Sequence, residues 1–496
     1  MSDVMYSSTR GADLKVKASE AILRGLAPDG GLFVPDHIPH LDKSLEEISA
    51  LGYKETAYEV MKLLLTDYTE DELKNCIEHA YDSKFDTEEI APMTQAGGAY
   101  YLELYHGATI AFKDMALSIL PYLMTTAAKK NNIKNDIVIL TATSGDTGKA
   151  ALAGFADVEG TKIIVFYPKH GVSPIQEKQM VTQKGDNTHV VGIEGNFDDA
   201  QTGVKKLFTD NNLAKEMNEK GFQFSSANSI NIGRLVPQIV YYVYSYTRLL
   251  GEGRIAKGDK VNFVVPTGNF GNILAAYYAK AMGIPVGKLI CASNSNKVLF
   301  DFFQTGTYDR NRDFVLTSSP SMDILISSNL ERLIYHIAGD NAAKDAEYMK
   351  ELTQNGKYAI SDDMKAKLTD FYGNYASEEE TAEAIRNLYK ETGYVIDTHT
   401  AVASSVYSKY VKDTGDKTVT VIASTASPFK FTRSVMNAID NADESVDDFA
   451  LADKLSEMAG ITIPAAVETI RNAEIRHKTV VETADMEKAV RNFLNI

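Results

Sequence analysis

Apolar residues follow two different patterns along the chain, and the change falls near residue 95. Before it, apolar positions recur at helical spacing in residues 13–24, 45–65 and 70–81, which predicts amphipathic helices. A turn at Asp29-Gly30-Gly31 precedes a short apolar run, 32–34, that is typical of a strand. We therefore predict a mainly helical N-terminal domain over residues 1–95.

From about residue 96, short apolar runs alternate with helical segments. This alternation is typical of parallel sheets covered by helices, so we predict an α/β region over residues 96–496, in two lobes. Within it, residues 320–390 predict a helical, acidic segment, and a polar helical tail closes the chain. The predicted strands cover residues 99–105, 136–142, 162–167, 188–193, 222–225, 260–265, 288–293 and 417–423.

Length and composition exclude several classes of protein. With 496 residues, 44% hydrophobic and 24% charged, the chain has the composition of a soluble globular protein with two or three domains. No apolar run approaches the length of a membrane span, and the N-terminus lacks a secretory layout, so we expect a cytoplasmic protein. Cys76 and Cys291 are too few for a disulfide framework, and we expect no metal site.

The net charge of −16 disfavours binding to nucleic acid. It also means that any site for an anionic ligand has to be built locally, from helix N-termini and a few placed cations.

Lys113 is the first candidate for chemistry, because it lies among small and apolar residues in Tyr105-His106-Gly107-Ala108-Thr109-Ile110-Ala111-Phe112-Lys113-Asp114-Met115-Ala116. A lysine that has to lose its proton to attack a carbonyl needs a desolvated site. The alternative is a helix lysine that extends to solvent.

Three corners between predicted strands and helices could bind anions. In Gly268-Asn269-Phe270-Gly271-Asn272, glycines allow consecutive N–H groups to face a phosphate at a helix N-terminus; a tight turn without a ligand is the alternative.

The corner around Ser144, Asp146 and Thr147 fails as a nucleotide P-loop, because Thr143 and Ala150 occupy positions that require Gly and Ser or Thr.

The third corner, Asn228 to Arg234, brings an amide, a hydroxyl and a guanidinium close together in the sequence. A guanidinium can bind phosphate through two hydrogen bonds, and pairing of Arg234 with a surface carboxylate is the alternative. A reactive lysine together with a phosphate cradle suggests pyridoxal phosphate, and a second anion corner suggests a phosphorylated substrate.

Six separated motifs, in order, resemble the threonine synthase family, a group of pyridoxal-phosphate enzymes of the tryptophan synthase β-like type, fold type II. The resemblance covers nearly the whole chain. The motifs are Tyr6 to Gly11 with Gly25 to Pro35, His106 to Asp114, Thr143 to Gly148, Ser173 to Glu177, Asn228 to Arg234, and Pro266 to Asn272.

The resemblance implies a role for each candidate. Lys113 would carry pyridoxal 5'-phosphate and move protons, and Thr425 would lie at the pyridine nitrogen. Asp146 would face the cofactor oxygen. The cofactor phosphate would be held by Gly268, Asn269, Phe270, Gly271 and Asn272, and the substrate by Ser144, Thr147, Asn228, Ser229 and Arg234.

The reaction implied is conversion of O-phospho-L-homoserine and water into L-threonine and phosphate, in a monomer or homodimer. Two rivals stay open: a phospho-lyase on the same scaffold that releases 2-oxobutyrate, and a binding protein without catalysis. An intact Lys113 and phosphate loop favour an enzyme.

Overall fold

The computed structural model describes residues 3–11, 13–143 and 145–496. Two parallel sheets covered by helices dominate the molecule, which confirms the predicted α/β class. Its strands are β1 Tyr6–Ser8, β2 Phe33–Pro35, β3 Met93–Ala96, β4 Ala99–Glu103, β5 Asp136–Ala142, β6 Thr161–Pro168, β7 Thr188–Glu194, β8 Phe222–Ser225, β9 Val261–Pro266, β10 Val286–Ser293, β11 Thr307–Asp309, β12 Lys357–Ala359, β13 Phe371–Tyr375, β14 Thr420–Ser424 and β15 Thr479–Glu482.

Helices cover both faces of the sheets, and in the N-terminal segment they alternate with turns and short strands. They are α1 Ala18–Arg24, α2 Leu45–Ser49, α3 Tyr53–Leu64, α4 Glu70–Ala80, α5 Asp114–Leu117, α6 Leu120–Lys130, α7 Asp146–Phe155, α8 Pro174–Val181, α9 Phe197–Thr209, α10 Asn211–Glu219, α11 Ile232–Gly251, α12 Gly271–Ala281, α13 Val298–Thr305, α14 Leu330–Ile337, α15 Ala342–Asn355, α16 Asp362–Ala366, α17 Glu378–Thr392, α18 Thr398–Thr414, α19 Thr432–Asp440, α20 Asp448–Ala459, α21 Ala465–Arg471 and α22 Met486–Leu494.

The larger sheet has the strand order β13-β10-β9-β14-β4-β3, and only the β3–β4 pair in it is antiparallel. The second sheet, β15-β7-β6-β5-β8, is parallel throughout. The central strand Val261–Pro266 is buried along its whole length, because helices cover both faces. One large apolar core joins the N-terminal helices to both sheets.

Several predicted helices have different bounds in the structure. The helix predicted over 13–24 begins only at Ala18, and the one over 45–65 is two helices. Gly52 is extended there, at φ −76° and ψ 178°, and forms the N-cap of α3. Pro121 lies in the first turn of α6, where a missing N–H costs nothing.

Two segments predicted to be helical also contribute strands. Within residues 320–390, β13 pairs in parallel with β10 at the edge of the larger sheet. In the C-terminal tail, β15 pairs in parallel with β7. These strands are four or five residues long, too short to interrupt the helical periodicity on either side. Across the described ranges, no helix is both long and apolar enough to cross a membrane.

Candidate active site

The candidate residues converge because each of them follows the carboxyl end of a parallel strand. The Lys113 segment follows β4, Asp146 follows β5, and the Asn228–Arg234 corner follows β8. The loop 268–272 follows β9, and Thr425 follows β14. In open α/β sheets, ligands bind at this edge, so the topology directs every candidate toward one cleft.

Lys113 is buried immediately before helix α5. Its Nζ donates a hydrogen bond to Ser321 Oγ at 3.1 Å and lies 3.7 Å from Asp146 Oδ2. The ring of Phe112 packs beside it, with the centroid 5.0 Å from Nζ. The predicted alternative of a lysine that extends to solvent is therefore wrong.

Burial sets the protonation of the Lys113 amine. Desolvation lowers its pKa to about 8, and the charges of Lys430 and Arg234 lower it as well, against the opposing charge of Asp146. A substantial fraction of the amine is therefore neutral just above neutral pH, as a nucleophile and proton carrier requires.

The backbone before Lys113 is held in place by two features. The Asp114 carboxylate accepts hydrogen bonds from Thr109 N–H at 2.8 Å and Thr109 Oγ1 at 2.6 Å, which closes the turn. Phe112 N–H donates to the carbonyl of Thr425 at 2.8 Å, so Thr425 lies beside the lysine segment.

Asp146 lies in the first turn of α7 and faces Lys113. Its carboxylate accepts hydrogen bonds from Gln176 Nε2 at 2.8 Å and Ser321 Oγ at 2.9 Å. Burial acts to raise the pKa of Asp146, but the charges of Lys430 and Lys113 outweigh burial and hold it well below its usual range. Thr147 is half-buried in the same turn; Ser144 lies outside the described residues.

The loop 268–272 forms the strand-to-helix corner predicted for a phosphate. Phe270 has a left-handed backbone, φ +65°, and is the N-cap of α12, whose first N–H groups have no acceptor within the helix. A Cβ on Gly268 would come within 2.6 Å of the Ser321 carbonyl oxygen, so only glycine fits there. Asn269 is exposed, and its carbonyl accepts a hydrogen bond from Asn329 N–H at 3.0 Å.

Asn272 is buried and aimed by two tyrosines of α11. Its Oδ1 accepts hydrogen bonds from Tyr241 OH and Tyr242 OH, both at 2.6 Å. Its Nδ2 is buried and has no hydrogen-bond partner among the described residues. A buried donor without an acceptor is costly, so this amide is suited to an anionic oxygen at the N-terminus of α12.

Arg234 is buried in the first turn of α11 and has no carboxylate partner among the described residues, so the surface-pair alternative is wrong. Its Nη1 donates to the carbonyl of Ala227 at 3.1 Å, while its Nε is buried without a partner. Desolvation lowers the pKa of Arg234 to about 10. Asn228 is exposed and Ser229 half-buried at the same corner, where the Ser229 carbonyl accepts from Asn329 Nδ2 at 3.3 Å.

Three residues of this site were not identified from the sequence: Ser321, Asn329 and Lys430. Ser321 and Asn329 lie in segments without a motif, and nothing local to them indicates a site. Lys430 could have been found, because it stands between Phe429 and Phe431 after a predicted strand, as Lys113 stands among apolar residues.

The chain matches three protein-family profiles in order. Residues 5–81 match the threonine synthase N terminus, residues 89–426 the pyridoxal-phosphate dependent enzymes, and residues 400–492 the threonine synthase C-terminal family. The chain is also 38% identical over 470 residues to threonine synthase of Schizosaccharomyces pombe, covering 88% of this chain and 90% of that one.

It belongs to the threonine synthase family. A solved structure, the pyridoxal-phosphate-bound threonine synthase from Brucella melitensis, superposes with a TM-score of 0.88 at 32% identity and covers 100% of both chains. Threonine synthase-like 1 of Homo sapiens is 41% identical over 435 residues, covering 85% of this chain, and this chain spans 58% of that longer protein.

Membership of this family makes the chain a pyridoxal-phosphate-dependent enzyme. The residues present fit that cofactor: a buried amine of lowered pKa at Lys113, and a helix N-terminus with the unpartnered amide of Asn272.

Proposed function

We propose that the chain is a threonine synthase that converts O-phospho-L-homoserine and water into L-threonine and phosphate. The observation that carries the proposal is the pairing of a buried amine, Lys113, with two separate anion sites: the 268–272 loop and the buried, carboxylate-free Arg234. One cofactor phosphate and one substrate phosphate would account for both sites.

When bound, pyridoxal phosphate supplies an electron sink for negative charge at the substrate α-carbon. Gly268, Asn269, Phe270, Gly271 and Asn272 would hold its phosphate, and Thr425 would lie at its ring nitrogen. Asp146, whose pKa is held low, would present a fixed negative charge beside Lys113.

The Lys113 Nζ would hold the cofactor at rest and carry protons during the reaction. It would take the proton from the α-carbon, and proton transfers at the β- and γ-carbons would accompany loss of the phosphate and addition of water at the β-carbon. Arg234, Asn228, Ser229, Thr147 and Ser144 would bind and orient the phosphorylated substrate.

A product assay tests the proposal. The purified protein, loaded with pyridoxal phosphate and given O-phospho-L-homoserine, is expected to release threonine and phosphate in equal amounts. Lys113→Ala should lose essentially all of this activity together with the visible absorbance band of the bound cofactor, because the amine has no substitute. The exposed Lys129→Ala serves as a matched control that retains both.

Two outcomes would contradict the proposal. Release of 2-oxobutyrate without threonine would identify a phospho-lyase on this scaffold, and absence of both products would remove the catalytic assignment. The division near residue 95, a cytoplasmic location and a monomeric or homodimeric state stay predictions; sedimentation of the purified chain tests the last of these.

A further inference from the structure

A second lysine, Lys430, is fully buried close to the Lys113 segment, and the proposed reaction gives it no role. Its side chain is 0% exposed. Its Nζ donates to the carbonyl of Thr109 at 2.8 Å and lies 3.3 Å from Asp146 Oδ1. A buried ammonium is costly unless it is paired, so this position indicates a built interaction.

Asp146 is shared between the two lysines. Lys430 approaches Oδ1, whereas Lys113 approaches Oδ2 at 3.7 Å. Ser321 Oγ bridges Lys113 Nζ and Asp146 Oδ2, and its backbone N–H donates to His399 Nε2 at 3.1 Å. The carboxylate therefore carries one negative charge between two amines.

We propose that Lys430 is a positioning residue that neutralises the Asp146 carboxylate and so leaves the Lys113 amine free to be deprotonated. At Lys113, the charge of Lys430 acts against the charge of Asp146. Without Lys430, Asp146 would pair with Lys113 alone and stabilise its protonated form. Lys430 also holds the lysine segment itself, through the Thr109 carbonyl.

The other charged groups near Lys113 do not replace this balance. Arg234 lowers the pKa of Lys113, and Asp114 raises it, but the Asp114 carboxylate is engaged by Thr109. His399 faces Asp146 from α18 and hydrogen-bonds Asp397 through Nδ1 at 2.8 Å. Among these groups, Lys430 is the cation in contact with the Asp146 oxygen opposite Lys113.

The inference rests on the proposed role of Lys113, but its test does not need the reaction. In the full-length chain freed of cofactor, an amine-reactive reagent labels only neutral lysine, and the labelled Lys113 peptide is quantified by mass spectrometry across pH. Lys430→Met is expected to raise the labelling midpoint of Lys113 by about one pH unit, which is about tenfold less neutral amine near neutral pH.

A double-mutant cycle isolates the effect. Asp146→Asn should lower the midpoint, because Lys430 then repels the proton on Lys113 without opposition. Asp146→Asn/Lys430→Met should return it close to wild type, about one unit above Asp146→Asn alone. Neither Asp146→Asn nor Asp146→Asn/Lys430→Met has the Asp146 carboxylate, so neither leaves it buried without its Lys430 partner. The comparison of these two variants therefore tests the inference even where Lys430→Met does not fold.

Two matched variants separate charge from packing. Lys430→Arg keeps the charge and should keep the wild-type midpoint within a few tenths of a unit. Lys149, on α7, has a lowered pKa like Lys113, but it donates to Gln183 and not to Asp146. Lys149→Met should therefore leave the labelling midpoint of Lys113 unchanged. In the loaded enzyme, the pH midpoint of the visible absorbance should move upward in Lys430→Met as well.

Two results would overturn the inference. One is a midpoint in Lys430→Met equal to or below that of wild type. The other is equality of Asp146→Asn and Asp146→Asn/Lys430→Met. Failure of the threonine assay with these shifts intact would instead reject the proposed function and leave the role of Lys430 standing.

Discussion

The oxygen and the nitrogen of the Asn272 side-chain amide have different surroundings. Its oxygen is held by Tyr241 and Tyr242, and its amide nitrogen is buried without a partner. Because the tyrosines fix the orientation of the side chain, the nitrogen is presented in advance to an anion. This preorganisation reduces the entropy lost when a phosphate binds.

Asn272→Asp is expected to separate the role of the amide nitrogen from that of the amide oxygen. A carboxylate still accepts the tyrosine hydrogen bonds, but it replaces a donor to the phosphate with a negative charge, so the Kd for pyridoxal phosphate should rise at least about tenfold, or about 1.4 kcal/mol. Titration of the visible band measures this. Tyr242→Phe is the control: it removes one tyrosine hydroxyl and keeps the amide and the Tyr241 hydrogen bond, so its Kd should rise less than that of Asn272→Asp. Equal Kd values for Asn272→Asp and wild type would contradict the assignment.

The limits of sequence interpretation are clear from Lys430. Lys113 and Lys430 each follow a phenylalanine in the sequence, and only the structure shows that Lys113 donates to a serine hydroxyl whereas Lys430 is held by a carboxylate and a carbonyl. Asp146 is far from both along the chain. Which lysine it pairs with is decided by the packing of two sheets, so local patterns do not contain that information.

At the scale of elements, the start of α14 joins three parts of the molecule. Asn329 N–H donates to the Asn269 carbonyl in the loop 268–272, and its side chain donates to the Ser229 carbonyl in the 228–234 corner. The fully buried Arg332 donates to the carbonyls of Phe33 at 2.9 Å and Ile230 at 2.6 Å, and to Asn329 Oδ1. The loop 268–272, the 228–234 corner and the N-terminal segment are thus held in one relative position.

Arg332→Lys is expected to loosen this junction. An ammonium cannot reach three separated acceptors in the plane of a guanidinium, so buried carbonyls lose partners. We expect the thermal midpoint to fall by at least about 3 °C and the KM for O-phospho-L-homoserine to rise about tenfold. Arg24→Lys, at an exposed pair with Glu20, is the control and should change neither. A wild-type KM in Arg332→Lys would show that the junction does not position the substrate corner.

Periodicity predicted the existence of most elements but not all of their boundaries. The run 45–65 keeps helical spacing across Gly52, so the pattern continues where the backbone does not. β13 and β15 gain their strand character from a neighbouring strand that precedes them by many residues. The corners of the candidate site were predictable because each follows a strand that the sequence pattern predicts.

For the molecule as a whole, the buried Glu331 links the N-terminal segment to the catalytic region and forms an acidic pair with the buried Asp345. Arg10 Nη2 pairs with Glu331 Oε2 at 2.7 Å, and Thr9 Oγ1 donates to Glu331 Oε1 at 2.5 Å. Asp345 lies beside them, with both carboxylate oxygens buried and unpartnered. Desolvation and the charge of Glu331 raise the pKa of Asp345 to about 9, so it is protonated at neutral pH.

This pair predicts a pH dependence of stability. The pKa of Asp345 is higher in the folded than in the unfolded state, so its contribution to the free energy of unfolding is fully present below the unfolded pKa of about 3.9. That contribution is lost as pH rises toward the folded pKa. Asp345→Asn should abolish that loss, so its thermal midpoint should fall at least about 2 °C less than wild type between pH 5 and pH 9. Asp363→Asn, at an exposed position, is the control and should follow wild type; parallel curves for Asp345→Asn and wild type would contradict the prediction.

The position of β14 also determines when the molecule can assemble during synthesis. β14 lies between β9 and β4, and β4 leads directly to Lys113. Until the ribosome has added residue 424, β4 has no parallel neighbour, and the floor of the cleft does not exist. At about 5–20 residues per second, the nascent chain passes roughly tens of seconds with apolar strand edges open. A newly made chain therefore exposes the apolar edges of β4 and β9 until residues 420–424 have emerged and can pair with both strands.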